Sequence, residues 1–157
     1  MTTPTVLACD DETFILRALQ MKLSRAGLNV ITAADGAEGW DKLNRTHVDL
    51  LITDLQMPRM DGLELIRQVR LQQEMASLPV ILLTAKGFEY DAASLQQLYA
   101  GLVLIAKPFS PRELLLTVQS LLQTGETSLT EASPAQPAAR FSSPSLSRSA
   151  AAARPND

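Results

Sequence analysis

Asp54 closes the apolar run Leu50-Leu51-Ile52-Thr53 and opens the segment Leu55-Gln56-Met57-Pro58-Arg59-Met60-Asp61-Gly62. A carboxylate is thereby presented at the end of an expected strand. Three other polar features hold matching places: Asp10-Asp11 after residues 6–9, Thr84 after residues 80–83, and Lys107-Pro108 after residues 102–106. In an open parallel α/β sheet, residues far apart in sequence meet in the crevice outside the carboxyl ends of the strands. Two adjacent acids, a third acid, a hydroxyl and a cation are therefore expected to converge. Carboxylates brought together repel one another, and the set stays ionised only where protons or a cation neutralise it. A hard divalent cation suits such a set, because Mg²⁺ takes oxygen ligands at about 2.0–2.1 Å, one or two of them carboxylates, and keeps several waters. A carboxylate held there can act as a nucleophile on phosphorus. Phosphoryl transfer then asks mostly for positioning and for neutralising charge on the equatorial oxygens, work that a metal and Lys107 can share from opposite sides.

The ordered set Asp10-Asp11, Asp54, Thr84, Lys107-Pro108 resembles the receiver domain of two-component response regulators, in a stand-alone, single-domain form. The resemblance covers roughly the first 123 residues and rests on Ala8-Cys9-Asp10-Asp11-Glu12, the segment from Asp54 to Gly62, Leu83-Thr84-Ala85-Lys86 and Lys107-Pro108-Phe109, in the family's order. It implies a five-stranded parallel sheet with helices on both faces, the flavodoxin-like receiver fold, and Asp54 as phosphoacceptor. It further implies Mg²⁺ as cofactor, with Asp11 and Asp54 as direct ligands, Asp10 acting mainly through water, and the backbone carbonyl of Gln56 as a further ligand. Lys107, aimed inward ahead of a cis proline, balances the phosphoryl charge. Thr84 supplies a hydroxyl that donates to the new phosphoryl oxygen and draws its loop inward. The implied donor is a phosphohistidine on a sensor histidine kinase or histidine phosphotransfer protein, and the output is a change in contact with a downstream protein. Gln56 and Lys86, two residues beyond Asp54 and Thr84, are expected to tune hydrolysis of the phosphoryl group. The chain is thus expected to work as a signalling module, not as an enzyme.

Composition bounds the alternatives. A chain of 157 residues suffices for one domain and is short for two. The net charge of -3 gives no electrostatic support to a nucleic-acid partner, and hydrophobic residues at 46% with aromatics at 4% describe an aliphatic core. No apolar stretch approaches the ~20 residues needed to span a bilayer, and the N-terminus lacks the regions of a signal peptide, so a cytoplasmic protein is expected. Cys9, the one cysteine, is expected to be an inert buried thiol in the first strand, and His47 a surface residue.

Five short aliphatic runs, at residues 6–9, 29–33, 50–53, 80–83 and 102–106, alternate with helical patterns, the signature of βα units and a parallel sheet. The mixed second run suits an edge strand. A first helix over about residues 12–26 places Ile15, Leu19 and Leu23 inward, and Gly27 stops it. Asp35 with Glu38 reads as a capping box before a second helix that buries Leu43 and packs Trp40 at the core boundary, rather than offering Trp40 for docking. A third helix over about residues 63–72 turns Ile66 and Val69 inward. A fourth lies somewhere in residues 90–100, with Leu95, Leu98 and Tyr99 as its buried candidates. The fifth is capped by Ser110, has Pro111 in its first turn and Glu113 completing the box, and carries the stripe Leu114, Val118, Leu121, Leu122. From residue 124 to 157 the composition turns to Ser, Ala, Pro, Thr and Gln. That stretch is read as a disordered low-complexity tail in which Phe141 is the one candidate docking residue.

One departure from the family's pattern bears on output. Receivers commonly carry Tyr or Phe three residues before the lysine, where this chain has Leu104. Either output runs through the first helix or the loop after Asp54, or an aliphatic face of the fourth and fifth helices serves dimerisation or docking. Burial of residues 102–106 in a central or flanking strand is the plainer account. Among other classes, an aspartate-nucleophile phosphatase of the haloacid dehalogenase type would want Asp-x-Asp after the first strand. An FMN binder would want a hydroxyl-rich loop there, where Asp10-Asp11-Glu12 repels phosphate. A phosphorylation-independent docking module and a receiver portion of a larger regulator also remain open.

Overall fold

In a computed structural model, residues 3–85 and 101–126 are described. Five strands, β1 (Thr5–Cys9), β2 (Asn29–Ala33), β3 (Leu50–Asp54), β4 (Val80–Thr84) and β5 (Leu102–Ala106), alternate with helices α1 (Thr13–Arg25), α2 (Gly36–Arg45), α3 (Gly62–Leu71) and α4 (Pro111–Glu126). The strands form one parallel sheet in the order β2-β1-β3-β4-β5. The expected helix in residues 90–100, Lys86 and Phe141 lie outside the described residues, so α4 is the helix that the sequence marks as its fifth.

Period-two alternation divides the core. Leu7, Cys9, Leu51, Val80 and Leu82 face one side and pack with Leu43 of α2 and Leu65, Ile66 and Val69 of α3. Their neighbours Val6, Ala8, Leu50, Ile52, Ile81 and Leu83 face the other, against Leu19 and Leu23 of α1 and Leu114 and Val118 of α4. Successive strand residues point to opposite faces, so covering both faces demands the near-continuous apolar runs seen in β1, β3 and β4. Truncating a fully buried leucine such as Leu51 would remove about 2–5 kcal/mol.

The helix ends follow local chemistry. Gly27 adopts φ +92°, its N–H donates to the Ser24 carbonyl at 3.0 Å and that of Leu28 to the Leu23 carbonyl at 3.2 Å. This left-handed close brings Leu28 onto the same apolar cluster as Leu23. The Asp35 carboxylate accepts the Glu38 N–H at 2.8 Å, and Glu38 reaches back to the N–H of Ala34 at 2.9 Å, one residue further out than a capping box requires. Trp40 is half-buried against the core, as expected for a boundary residue.

One expectation is resolved and another needs correction. Of the central and flanking places expected for residues 102–106, β5 takes the flank as an edge strand; Leu102 is buried, Val103, Leu104 and Ile105 are half-buried, and Leu104 packs against the α2–α3 side of the core. An edge strand pairs on one side only, so its aliphatics need less cover than those of β3 or β4. α4 also runs on to Glu126, three residues past the point where the composition changes. Its N-terminus is capped more weakly than the sequence suggests, with the Glu113 N–H 3.4 Å from Ser110 Oγ.

Candidate functional site

Strand pairing sets the ends of four strands level: Cys9 pairs with Thr53, Asp54 with Leu83, and Thr84 with Ala106. The sheet order reverses between β1 and β3, and at such a switch point the connecting chains leave in opposite directions and open a crevice. Asp10 and Asp11 follow β1, Asp54 and Thr84 are the last residues of β3 and β4, and Lys107 follows β5. Asp10, Asp11 and Asp54 each offer a carboxylate oxygen within 4.8 Å of the others, with Asp10 and Asp54 buried and Asp11 exposed.

Lys107 enters this acidic group from the far side of β4. Its Nζ lies 3.0 Å from Asp10 Oδ2 and 3.2 Å from Asp54 Oδ1, with the side chain only 19% exposed. The Lys107–Pro108 peptide is cis, as the resemblance implied. The Lys107 backbone N–H donates to the Thr84 carbonyl at 2.7 Å, so the hydroxyl-bearing and cation-bearing residues are joined through their main chains.

Burial dominates the electrostatics. Desolvation pushes the carboxyls of Asp10 and Asp54 above the ordinary carboxylate range, the Asp10 charge pushes Asp54 further, and Lys107 pulls both back in part. Desolvation would lower Lys107, but Asp10, Glu12 and Asp54 outweigh it and raise its pKa, keeping it charged. Asp10 Oδ1 accepts the Glu12 N–H at 2.9 Å, whereas Oδ2, fully buried, accepts no aligned hydrogen bond. A buried oxygen so placed, in a set of hard oxygen donors carrying excess negative charge, fits a divalent cation such as Mg²⁺.

The other residues singled out in the sequence lie in the loops, in the core and at the surface. Gln56 is exposed in the loop two residues after Asp54, and Thr84 is buried. Cys9 is fully buried; desolvation, with the Glu38 charge second, pushes its thiol up to about 12, as befits an inert core residue. His47 is exposed and bonds Asp49 at 3.0 Å, away from the acidic group.

Sequence reasoning missed two partners. Glu12 Oε1 accepts a hydrogen bond from Lys107 Nζ at 3.0 Å, making a third acid on one ammonium. Arg59, at φ +69°, clasps Asp35 Oδ2 through Nε at 2.9 Å and Nη2 at 2.7 Å, and the Gly36 N–H donates to the Met60 carbonyl at 3.1 Å. The loop after Asp54 is thereby tied to the start of α2. A third consecutive acid was a visible signal for Glu12, while nothing local announces a pairing between Arg59 and Asp35.

The family model that matches is the response regulator receiver domain, over residues 6–119. The chain belongs to that family. Among curated relatives, this receiver is 40% identical over 121 residues to the alkaline phosphatase synthesis transcriptional regulatory protein PhoP of Bacillus subtilis, covering 77% of this chain and 49% of that protein. It is 39% identical over 119 residues to the response regulator ArlR of Staphylococcus aureus, covering 75% and 52%. The chain thus spans about half the length of these relatives. Among solved structures, the chemotaxis protein CheY4 of Vibrio cholerae superposes with a TM-score of 0.70 at 32% identity, covering 76% of this chain and 99% of that one. The receiver domain of the Francisella response regulator 1452 gives 0.68 at 29% identity, covering 78% and 99%.

Receiver domains act as phosphoacceptors in signalling, not as turnover enzymes, bind Mg²⁺ at an acidic pocket and work with a histidine kinase or phosphotransfer partner. The expectation that nucleic acid plays no part rested on charge alone, and does not fit well beside a relative named for transcriptional regulation. Among the described residues no helix is long and apolar enough to cross a membrane.

Proposed function

We propose that Asp54 is the phosphoacceptor of a two-component phosphorelay and that its phosphorylation switches contacts with another protein. The observation that carries this reading is the placing of Lys107 Nζ 3.2 Å from Asp54 Oδ1 and 3.0 Å from Asp10 Oδ2, beside the exposed carboxylate of Asp11. An Asp54 oxygen attacks phosphorus, the phosphorus–nitrogen bond of the donor's phosphohistidine breaks, and its electron pair leaves with the imidazole. Lys107 neutralises charge on the transferring group, an effect of the kind worth about 10²–10³-fold in rate for one well-aimed donor. Asp10, Asp11, Asp54 and the carbonyl of Gln56 are the residues that would hold Mg²⁺. When bound, that ion supplies charge screening between the Asp54 carboxylate and the incoming phosphoryl group. Thr84, joined to Lys107 through the main chain, donates its hydroxyl to the phosphoryl oxygen and moves its loop as it does so.

In this reading the receiver runs from β1 through α4, and the chain signals through contact with another protein. A second reading, a receiver portion of a larger regulator, is favoured by the match to only about half of each curated relative.

The test is phosphate incorporation from acetyl phosphate with Mg²⁺, followed by mass spectrometry of the intact protein beside Asp54→Asn. A Mg²⁺-dependent adduct absent from the variant is expected. No adduct with acetyl phosphate or a kinase would leave a phosphorylation-independent docking module.

A further inference from the structure

Lys107 has three carboxylates on one ammonium, and they differ in what each would lose by letting go. Nζ donates to Glu12 Oε1 at 3.0 Å, and stands 3.0 Å from Asp10 Oδ2 and 3.2 Å from Asp54 Oδ1. One ammonium has room for few anionic oxygens, so a phosphoryl oxygen arriving on Asp54 competes with these neighbours for Lys107, and the hydrogen bond it competes with is the one to Glu12. Asp10 is fully buried with the ammonium 3.0 Å from its Oδ2, so parting from the lysine costs more there than at an exposed acid. Asp54 is the residue being modified, and the new group hangs from it. Glu12 is different: its side chain is 47% exposed, and water can replace the lysine at once.

The start of α1 offers Glu12 a second berth. Glu12 is the residue that opens α1, yet its side chain makes no capping bond there, and no acid stands in the first turn of the helix. A carboxylate near the first amides of a helix is favoured by the helix dipole. Its diversion to Lys107 therefore leaves a favourable alternative unused in the unmodified protein.

We propose that Glu12 is the exchange partner of Lys107: it holds the ammonium at the mouth of the site before modification and yields it to the phosphoryl group afterwards. This makes Glu12 a positioning residue whose bond to Lys107 opposes phosphoryl binding and sets part of the balance between unmodified and modified states. The inference rests on the phosphoacceptor reading of Asp54.

Binding of beryllofluoride, a phosphoryl mimic, measured by ¹⁹F NMR with Mg²⁺ present, tests it in the full chain. Glu12→Gln removes the carboxylate and Glu12→Asp keeps its charge but shortens its reach, so both should tighten binding, by roughly two- to fivefold for a half-exposed pair. In a Lys107→Met background neither should have any effect. Equal gains from Glu12→Gln with and without Lys107, or a Glu12→Asp variant that binds like the parent, would show bulk repulsion of the anion and overturn the exchange. Unchanged or weaker binding by Glu12→Gln would overturn it as well. Failure of the parent to bind the mimic, or equal binding by Asp54→Asn, would instead bring down the phosphoacceptor reading and this inference with it.

Discussion

The backbone N–H of Lys107 donates to the carbonyl of Thr84 at 2.7 Å, at the point where β4 and β5 end side by side. The two residues proposed to answer the same phosphoryl group therefore share a hydrogen bond. A shift of Thr84 toward that group pulls on the peptide that carries Lys107. In Thr84→Ala, phosphate incorporation should persist, because the nucleophile, the lysine and the acids are untouched. The change in hydrogen exchange of the Lys107 amide that accompanies phosphorylation in the parent should disappear. An identical exchange response in the variant would show that the hydroxyl does not drive the movement.

Removing the lysine should separate two properties that unfolding would lose together. Lys107 stands against Asp10 and Asp54, so a divalent cation held by these proposed ligands would compete with it for their charge. In Lys107→Ala the rate of phosphate incorporation should fall by about 10²–10³-fold. Mg²⁺ affinity should rise, by roughly tenfold, the equivalent of about 1.4 kcal/mol. Titration by calorimetry checks this, and weaker Mg²⁺ binding would show that Lys107 helps to shape the metal site instead of opposing it.

The raised pKa of Asp54 makes a statement about stability. Burial first and the Asp10 charge second hold this carboxyl above its ordinary value of 3.8, so the folded protein binds the proton more tightly than the unfolded chain. Stability from this group is fully present below 3.8 and is lost as pH rises through the raised folded value. Without metal, Asp54→Asn should therefore melt above the parent at neutral pH, and the gap should shrink as pH falls through the acid range. With Mg²⁺ in excess the order should reverse, since the ion stabilises only the protein that binds it well. A gap in the metal-free proteins that does not change with pH would mean that Asp54 is not the strained carboxylate.

Much of this architecture is written in short-range patterns. The runs at residues 29–33 and 102–106 match β2 and β5, and the other three strands differ by one residue at an end, because continuous aliphatics between turn residues have few other uses in a chain this size. Asp10, Asp54, Thr84 and Lys107 were legible for the same reason: polar residues that end apolar runs in a parallel sheet must gather at one edge. Edge position was not legible for β5, since Leu102 to Ala106 is as apolar as a central strand and only the pairing order reveals that, among the described strands, β4 alone adjoins it. The Lys107–Glu12 and Arg59–Asp35 pairs were not legible either, for side chains that meet across 95 and 24 residues leave no local periodicity.

Arg59 sets backbone strain against a surface ion pair. Its φ of +69° lies in the left-handed region, which costs a residue with a Cβ roughly 1–2 kcal/mol. Its bond to Asp35 is partly exposed, with the arginine side chain 64% accessible, and such pairs contribute about 0–1 kcal/mol. Arg59→Gly loses the pair but relieves the strain, so it should be close to neutral, whereas Arg59→Ala keeps the strain and should be less stable than Arg59→Gly by about 1 kcal/mol. Urea unfolding resolves the difference. An Arg59→Gly variant as unstable as Arg59→Ala would mean that the clasp on Asp35, not the backbone, dominates this loop.

Gly62 links the fold to the chemistry most directly. A Cβ placed there would collide with the carbonyl oxygen of Asp54 and press on the Cα of Leu55, while the Gly62 N–H donates to the Leu55 carbonyl at 2.8 Å. Gly62→Ala must therefore push on the peptide that carries the proposed nucleophile, at a cost of roughly 1–3 kcal/mol. Gly27→Ala is the matched control, because at φ +92° its Cβ meets nothing within 4 Å, so it strains the backbone by about 1 kcal/mol at a helix end remote from the acids. Both variants should melt earlier than the parent. Only Gly62→Ala should also lose Mg²⁺ affinity and phosphate incorporation, the latter by up to about 10²-fold if the carboxylate moves by an ångström. Equal losses of site function in the two would show that global stability, and not the placing of Asp54 by the α3 N-terminus, governs the reaction.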